Sequence, residues 1–189
     1  MSSDFAAQRY VMVESQVRVN DVTDYAIHDA MRAVPREALL PAPVAYLAYA
    51  DTEVAYAPGR WLLKPRDVAK LLQGLAPRAG EQALAIAAPY AAAVLEAMGL
   101  TVTRVDGEDL TAVSGRYQVV VCEGAVTDVP AAWTEALAAN GRLGVVVRDG
   151  PVGRAMLYVP ADGGVGRRDL FDTAPPLMAG FEPKAAFAF

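Results

Sequence analysis

Residues 83–95 restrict the fold of this chain more than any other segment. They read Ala-Leu-Ala-Ile-Ala-Ala-Pro-Tyr-Ala-Ala-Ala-Val-Leu, which predicts a buried strand, a tight loop and the start of a helix. Nucleotide-type cofactors bind at such turns because free backbone N–H groups and the helix dipole point there. Glycines usually let the backbone approach the ligand, but the chain has no glycine between Gly80 and Gly99. The segment therefore resembles a cofactor site without the usual chemistry of one.

Strand and helix patterns alternate along the rest of the C-terminal part. The continuous apolar run at 117–122 is typical of a central parallel strand. The other predicted elements are strands at 83–87, 101–105 and 143–147, helices at 90–98 and 130–139, and a hairpin of 154–159 with 165–171. We expect Asn140-Gly141 to cap the second helix. This order predicts an α/β fold with a mostly parallel sheet and a C-terminal antiparallel pair.

The N-terminal part reads as helices and one irregular stretch. Apolar periodicity predicts helices at 5–19 and 68–75, and Thr23 or Asp24 can cap another helix that ends before Pro35. Residues 36–65 read as irregular but carry enough apolar side chains to pack on the rest. We expect one domain over residues 1–189, with 1–80 packed on a core of 81–189.

Composition excludes several functional classes. The chain has 189 residues, 54% of them hydrophobic, and a net charge of −5, which argues against nucleic acid or anionic membrane as a partner. With one cysteine, Cys122, and one histidine, an ordinary zinc site is excluded and no metal is expected. No signal peptide is visible, so the cytoplasm is the expected location.

Several short motifs occur in the order known from one enzyme family. Each is weak alone, but together they cover most of the chain: Met12–Arg18, Ala30–Glu37, Ala48–Asp51, Glu123–Val126 with Val129-Pro130, Asn140–Leu143 and Gly180–Pro183. In this order the chain resembles the protein-L-isoaspartate O-methyltransferase family. The resemblance implies a Rossmann-like methyltransferase fold, S-adenosylmethionine as methyl donor and the carboxyl group of isoaspartyl residues as acceptor, in protein repair.

The first departure from the family pattern is the loop at 85–90. The family has an acidic residue where Ala85 stands, and glycines where Ala87 and Pro89 stand; Tyr90 still matches. Proline removes an N–H donor, and a Cβ disfavours positive φ. We therefore expect these residues to be a vestigial cofactor loop.

Two acidic residues remain as candidates for the cofactor site. Asp106 follows Ala87 by 19 residues, the spacing at which an acid would bind ribose hydroxyls. The second departure from the family pattern is a deletion. Only residues 107–116 separate Asp106 from the next strand, so the family's intervening helix and strand are missing. Residues 101–105 could instead match a later family strand. Glu123 and Gly124 follow the predicted strand 117–122, at a strand end where ligands of open α/β sheets bind.

The third departure concerns the substrate loop. The family places a hydroxyl residue near the acceptor, and Leu63 occupies that position here. The candidate substrate-loop residues are Arg60, Trp61, Leu63 and Lys64, of which the basic and aromatic side chains could bind an acidic peptide or simply cover the core.

These departures lead to one leading hypothesis, one rival and a third reading, a protein that binds a small molecule in the vestigial crevice at the strand ends. The leading hypothesis is a non-catalytic family member that serves as a binding, regulatory or oligomerisation module and does not bind S-adenosylmethionine. The rival is an active isoaspartyl methyltransferase that uses Asp106 and Glu123. Because the shortened segment exposes a sheet edge, we also expect a homodimer that covers the region 101–109.

Overall fold

The N-terminal layer consists of short helices that side chains cap. The structure is a computed structural model of the chain, and it describes residues 4–183. Helix α1 spans Phe5–Met12 and continues as a π turn, Val13–Val17, and a 3₁₀ turn, Arg18–Asn20. Helix α2 spans Tyr25–Ala33, and the carboxylate of Asp24 accepts the N–H of Ala26 at 2.9 Å, so Asp24 is the cap.

The stretch expected to be irregular contains regular structure. Two 3₁₀ turns, Arg36–Leu39 and Ala42–Leu47, precede a small antiparallel hairpin of β1 (Val54–Ala57) and β2 (Arg60–Leu62). Helix α3 spans Pro65–Leu75 and begins three residues before the predicted start. Proline is favourable in the first helical turn because the N–H that it lacks would have no partner there.

The centre of the molecule is a six-stranded sheet. In chain order its strands are β3 (Gln82–Ile86), β4 (Thr101–Val105), β5 (Tyr117–Val126), β6 (Leu137–Asp149), β7 (Val152–Ala161) and β8 (Gly164–Asp172). The spatial order is β4-β3-β5-β6-β7-β8; β3 to β6 run parallel, and β7 and β8 are antiparallel. The α/β expectation with a C-terminal antiparallel pair is confirmed.

Apolar side chains cover both faces of the sheet. One core lies between the sheet and α1, α2, α3 and α4, where α4 spans Pro89–Ala97. The other core contains Leu84, Val120 and Val145 of the sheet, together with Trp133 of α5 (Ala131–Glu135) and Met178. Neighbouring residues of β3 and β5 thus point into opposite cores, as the twofold period of a strand requires.

The predicted helix at 130–139 is wrong in its second half. Helix α5 ends at Glu135, and Asn140-Gly141, expected as its cap, lies inside β6. The reason is pairing with β5: Tyr117 pairs with Leu137, and a Cβ at Gly141 would lie 2.7 Å from the Tyr117 carbonyl oxygen. Sheet pairing outweighs the helical preference of the alanines here.

The position of β4 settles which strand it is. It pairs in parallel with β3 on the side away from β5, so it is the second strand of the parallel sheet rather than a later one. Residues 106–116 cross back to β5 without a helix or strand. Within residues 4–183, no helix is long and apolar enough to cross a membrane.

Candidate functional site

The carboxyl ends of β3, β4 and β5 meet beside the start of α4, where open α/β sheets bind ligands. We call the space above these strand ends the crevice. The loop between β3 and α4 is short, and Ala87 adopts a left-handed backbone with φ of 44°. Its N–H donates to the carbonyl oxygen of Val105 at 2.8 Å. An alanine thus takes the conformation that a glycine would normally supply, at a cost of about 1 kcal/mol.

The carboxylate of Glu123 fills the N-terminus of α4. One oxygen accepts the backbone N–H groups of Tyr90 and Ala91, both at 3.1 Å, and the other accepts the N–H of Leu63 at 3.2 Å. Glu123 is 1% exposed. The first turn of a helix attracts anions through these free N–H groups, and here a side chain of the chain itself is that anion.

Arg36 lies at the start of the 3₁₀ turn Arg36–Leu39, where it faces Glu123 and is fully buried. Its guanidinium donates to the carbonyl oxygens of Ala48 at 2.8 Å and Leu63 at 2.5 Å, and lies 4.5 Å from the centre of the Tyr90 ring. Its Nη1 is 3.8 Å from Glu123 and has no hydrogen-bond partner among the described residues. Burial lowers the pKa of Arg36, although the charge of Glu123 opposes that shift.

Burial also controls the ionisation of Glu123. Desolvation raises the pKa of this carboxyl to about 7, against the opposing effects of Arg36 and the three N–H donors. The buried pair therefore joins β5, α4 and the segment before α3 through a carboxylate that titrates near neutral pH.

Asp106 lies at the other side of the crevice, after β4. Its carboxylate accepts a hydrogen bond from the hydroxyl of Tyr56 at 2.9 Å, and Tyr56 belongs to the hairpin β1–β2. Burial and the neighbouring Asp106 raise the pKa of Tyr56. A cavity of about 30 Å³, with space for about two water molecules, remains between Ala85, Ala88, Pro89, Arg104 and Asp106.

A C-terminal segment, residues 177–179, covers the end of β5. The N–H of Met178 donates to the carbonyl oxygen of Ala125 at 2.9 Å, and its side chain is fully buried. The Met178 sulfur is 3.9 Å from the thiol of Cys122, whose pKa is raised by burial. A Cβ on Gly124 would lie 2.4 Å from that sulfur, so a larger residue there would force the Met178 side chain to shift.

The same segment is joined to the hairpin. The N–H of Ala179 donates to the carbonyl oxygen of Gly59 at 3.2 Å, and the Arg60 guanidinium donates to the carbonyl oxygen of Ala179 at 3.3 Å. The hairpin and this segment thus form one cover above the strand ends.

The residues predicted for the substrate loop are only partly brought together. Leu63 contacts Glu123 through its N–H, while its side chain is buried in the core. Lys64 pairs with Glu53 at 3.6 Å, and Trp61 is half-buried in β2. Arg60 is held by backbone carbonyl groups of the cover.

The predicted cofactor residues do cluster, and sequence reasoning missed their partners. Ala85, Pro89 and Asp106 share the small cavity, and Glu123 contacts Tyr90 directly. The missed residues are Arg36, Tyr56 and Met178. Arg36 lies in a motif that carried the resemblance, whereas no sequence signal marked the other two. In the part of the chain that the structure describes, no group of three or more His, Cys, Asp or Glu side chains could hold a metal ion.

Comparison with known proteins finds relatives of one kind. The chain is 41% identical over 105 residues to the protein-L-isoaspartate O-methyltransferase of Methylorubrum extorquens, which covers 54% of this chain and 46% of the relative. It is 36% identical over 136 residues to that of Methylorubrum populi, covering 69% and 64%. It is 37% identical over 151 residues to protein-L-isoaspartate O-methyltransferase 1 of Rhodopseudomonas palustris, covering 79% and 54%. The chain thus spans about half to two thirds of the length of these relatives.

Solved structures show the same fold. A Plasmodium falciparum protein described as a beta-aspartate methyltransferase, in complex with S-adenosyl-L-homocysteine, matches with a TM-score of 0.73 at 15% identity, covering 90% of this chain and 97% of that one. A second protein-L-isoaspartate O-methyltransferase structure matches with a TM-score of 0.68 at 17% identity, covering 92% and 65%. A scan against protein-family profiles finds no match. On its sequence relatives and its Rossmann-like fold, the chain belongs to the protein-L-isoaspartate O-methyltransferase family.

Proposed function

We propose that this chain is a non-catalytic member of its family, which keeps the methyltransferase fold as a binding, regulatory or oligomerisation module. The observation that carries the proposal is the crevice, whose polar groups already bind one another. Glu123 accepts the N–H groups at the start of α4, and Tyr56 donates to Asp106. A cytoplasmic location fits a chain whose one cysteine is buried.

The residues present do not fit the cofactor that the family implies, S-adenosylmethionine. A pocket for a ligand of that size has a volume of about 300–1,000 Å³, whereas the cavity between the start of α4 and Asp106 has about 30 Å³. A larger cavity, of about 810 Å³, lies beyond the ends of β5 and β6, beside Thr127, Asp128 and Arg148, and not at the start of α4. A ligand at α4 would also have to displace Glu123 and leave Arg36 buried without its counter-charge. Breaking such a buried pair costs about 3–5 kcal/mol.

The acceptor side supports the same proposal. At the position where the resemblance implies a hydroxyl residue, Leu63 presents a side chain that is 1% exposed and packs in the core. A leucine side chain cannot donate a hydrogen bond to an acceptor carboxylate.

A second candidate function is an active isoaspartyl methyltransferase. The observation in its favour is 37% identity, across 79% of this chain, to a protein that bears the name of the enzyme. Cofactor entry would then require the β1–β2 hairpin to move away from the crevice. This movement would separate Tyr56 from Asp106 and free the Asp106 carboxylate for a ribose.

One assay separates the two candidates. The chain is incubated with an isoaspartyl peptide and S-adenosylmethionine labelled in its methyl group, beside a curated relative as positive control. We expect no base-labile label in the peptide above a heat-inactivated control. Labelling by this chain that Asp106→Asn abolishes would overturn the proposal and establish the second candidate.

A further inference from the structure

Strand β4 forms one outer edge of the sheet. It pairs with β3 on one side, and no described strand pairs with its other side. It reads Thr-Val-Thr-Arg-Val, a sequence with high β propensity. It contains no proline, lysine or bulge, and its one charged residue, Arg104, is paired with Glu96.

The ladder with β3 determines which backbone groups remain free. The N–H of Thr101 donates to the carbonyl oxygen of Glu81 at 3.1 Å, and the carbonyl oxygen of Val105 accepts from Ala87 at 2.8 Å. In a strand, alternate residues direct both backbone groups to the same side. Thr101, Thr103 and Val105 therefore bond to β3, and Val102 and Arg104 direct their N–H and carbonyl groups outward.

We propose that this edge is the dimer interface, and that β4 pairs antiparallel with β4 of a second copy about a two-fold axis at Thr103. In an antiparallel pair, two opposed residues whose N–H and carbonyl groups point toward the partner strand exchange two hydrogen bonds. Val102 of each copy then lies opposite Arg104 of the other, and all outward groups of both residues are satisfied. Thr103 of one copy lies opposite Thr103 of the other, and the two six-stranded sheets form one continuous sheet.

Charge favours a second copy as the partner. Arg104 is already neutralised by Glu96 of α4, with bonds of 3.3 and 2.8 Å, so the strand presents no net charge to its copy. In the proposed register no two like charges are opposed. Thr103 meets Thr103, a pair that stabilises antiparallel ladders. Thr101 meets Val105, and both residues have high β propensity. The interface is an isologous one, in which the same patch serves both subunits.

Exposure and the missing segment agree with this pairing. Thr101 and Thr103 are exposed, and residues 107–116 place no helix or strand outside β4. The inference does not depend on the proposed function, because it concerns the outer edge of β4 and holds whether or not a cofactor binds.

Disulfide trapping tests the register. Across the two-fold axis, the two Thr103 Cα atoms would be about 4.5 Å apart, within the range that a disulfide spans. Two Thr101 residues would be offset by four residues along the strands, about 13 Å. Thr101→Cys is therefore a matched control on the same strand and face. The native thiol, Cys122, is buried and does not compete.

We expect Thr103→Cys to give a covalent dimer under mild oxidation and Thr101→Cys to stay mostly uncrosslinked, at least tenfold less. Equal crosslinking of both variants, or of neither, would overturn the register. In a second measurement, sedimentation of the unmodified chain is compared with Thr103→Lys and Thr103→Glu, each checked for unchanged thermal unfolding. We expect each variant alone to be monomeric and their mixture to form a heterodimer; a wild-type chain that sediments as a monomer would overturn the proposal.

Discussion

The carboxylate of Glu123 accepts the backbone N–H of Tyr90 at 3.1 Å, so β5 supplies the anion at the first turn of α4. In a nucleotide-binding fold this turn is the place where the ligand meets the protein. Here the N–H groups of that turn bind a buried side chain of the chain itself.

Removing the Glu123 side chain should strongly destabilise the fold. In Glu123→Ala, three buried N–H groups lose their acceptor and Arg36 loses its counter-charge, so we expect the free energy of unfolding to fall by about 3–5 kcal/mol. Denaturant unfolding measures this change. Asp169→Ala, which breaks the exposed pair with Arg154, is the control and should cost less than about 1 kcal/mol. Equal effects of the two variants would contradict the account.

Stability should depend on the titration of Glu123. Since the folded-state pKa is about 7, above the ordinary value of 4.5, the folded state binds this proton more tightly than the unfolded state. The contribution is therefore fully present below about pH 4.5 and is lost as the pH rises through 7, at up to about 1.4 kcal/mol per pH unit. Glu123→Gln cannot titrate and serves as reference. A wild-type stability that rises relative to Glu123→Gln between pH 5 and 7 would contradict the sign.

The hydroxyl of Tyr56 should couple energetically to Asp106. A double-mutant cycle of Tyr56→Phe and Asp106→Asn isolates their hydrogen bond from other effects of each change. Because the pair is partly exposed, we expect a coupling of about 0.5–1 kcal/mol. Zero coupling in the unfolding free energies would mean that the hairpin does not hold Asp106 in solution.

Gly124 should be required for the cover to close. In Gly124→Ala the new Cβ would overlap the Met178 sulfur, and we expect a loss of about 1–3 kcal/mol of stability. Gly107→Ala is the matched control, since a Cβ there meets nothing within 4 Å. Adding Met178→Ala to Gly124→Ala should restore part of the loss. If Gly124→Ala is no more harmful than Gly107→Ala, Met178 does not lie against β5.

The sequence predicted the regular elements of the sheet well, because local patterns carry them. The run at 117–122 has the continuous apolar character of a buried parallel strand, and the turn at Asp162-Gly163 marks the hairpin of β7 and β8. The helix at 130–139 failed because its second half pairs with Tyr117, a contact distant in sequence. Such pairing overrides local propensity and leaves no local signal.

The sequence predicted where the site lies but not which side chains contact its acidic residues. The lost glycines and the acids at 106 and 123 located the crevice. The partners of those acids come from elsewhere: Arg36 from a 3₁₀ turn, Tyr56 from a hairpin within a stretch that read as irregular, and Met178 from near the C-terminus. These contacts join residues dozens of positions apart, and only the folded chain brings them together.

Isothermal titration of the purified chain with S-adenosylmethionine tests most directly whether the crevice is closed to the cofactor. A curated relative titrated in parallel is the positive control for the ligand. We expect no saturable heat for this chain at ligand concentrations that saturate the relative. Micromolar binding to this chain, weakened by Asp106→Asn, would contradict this expectation.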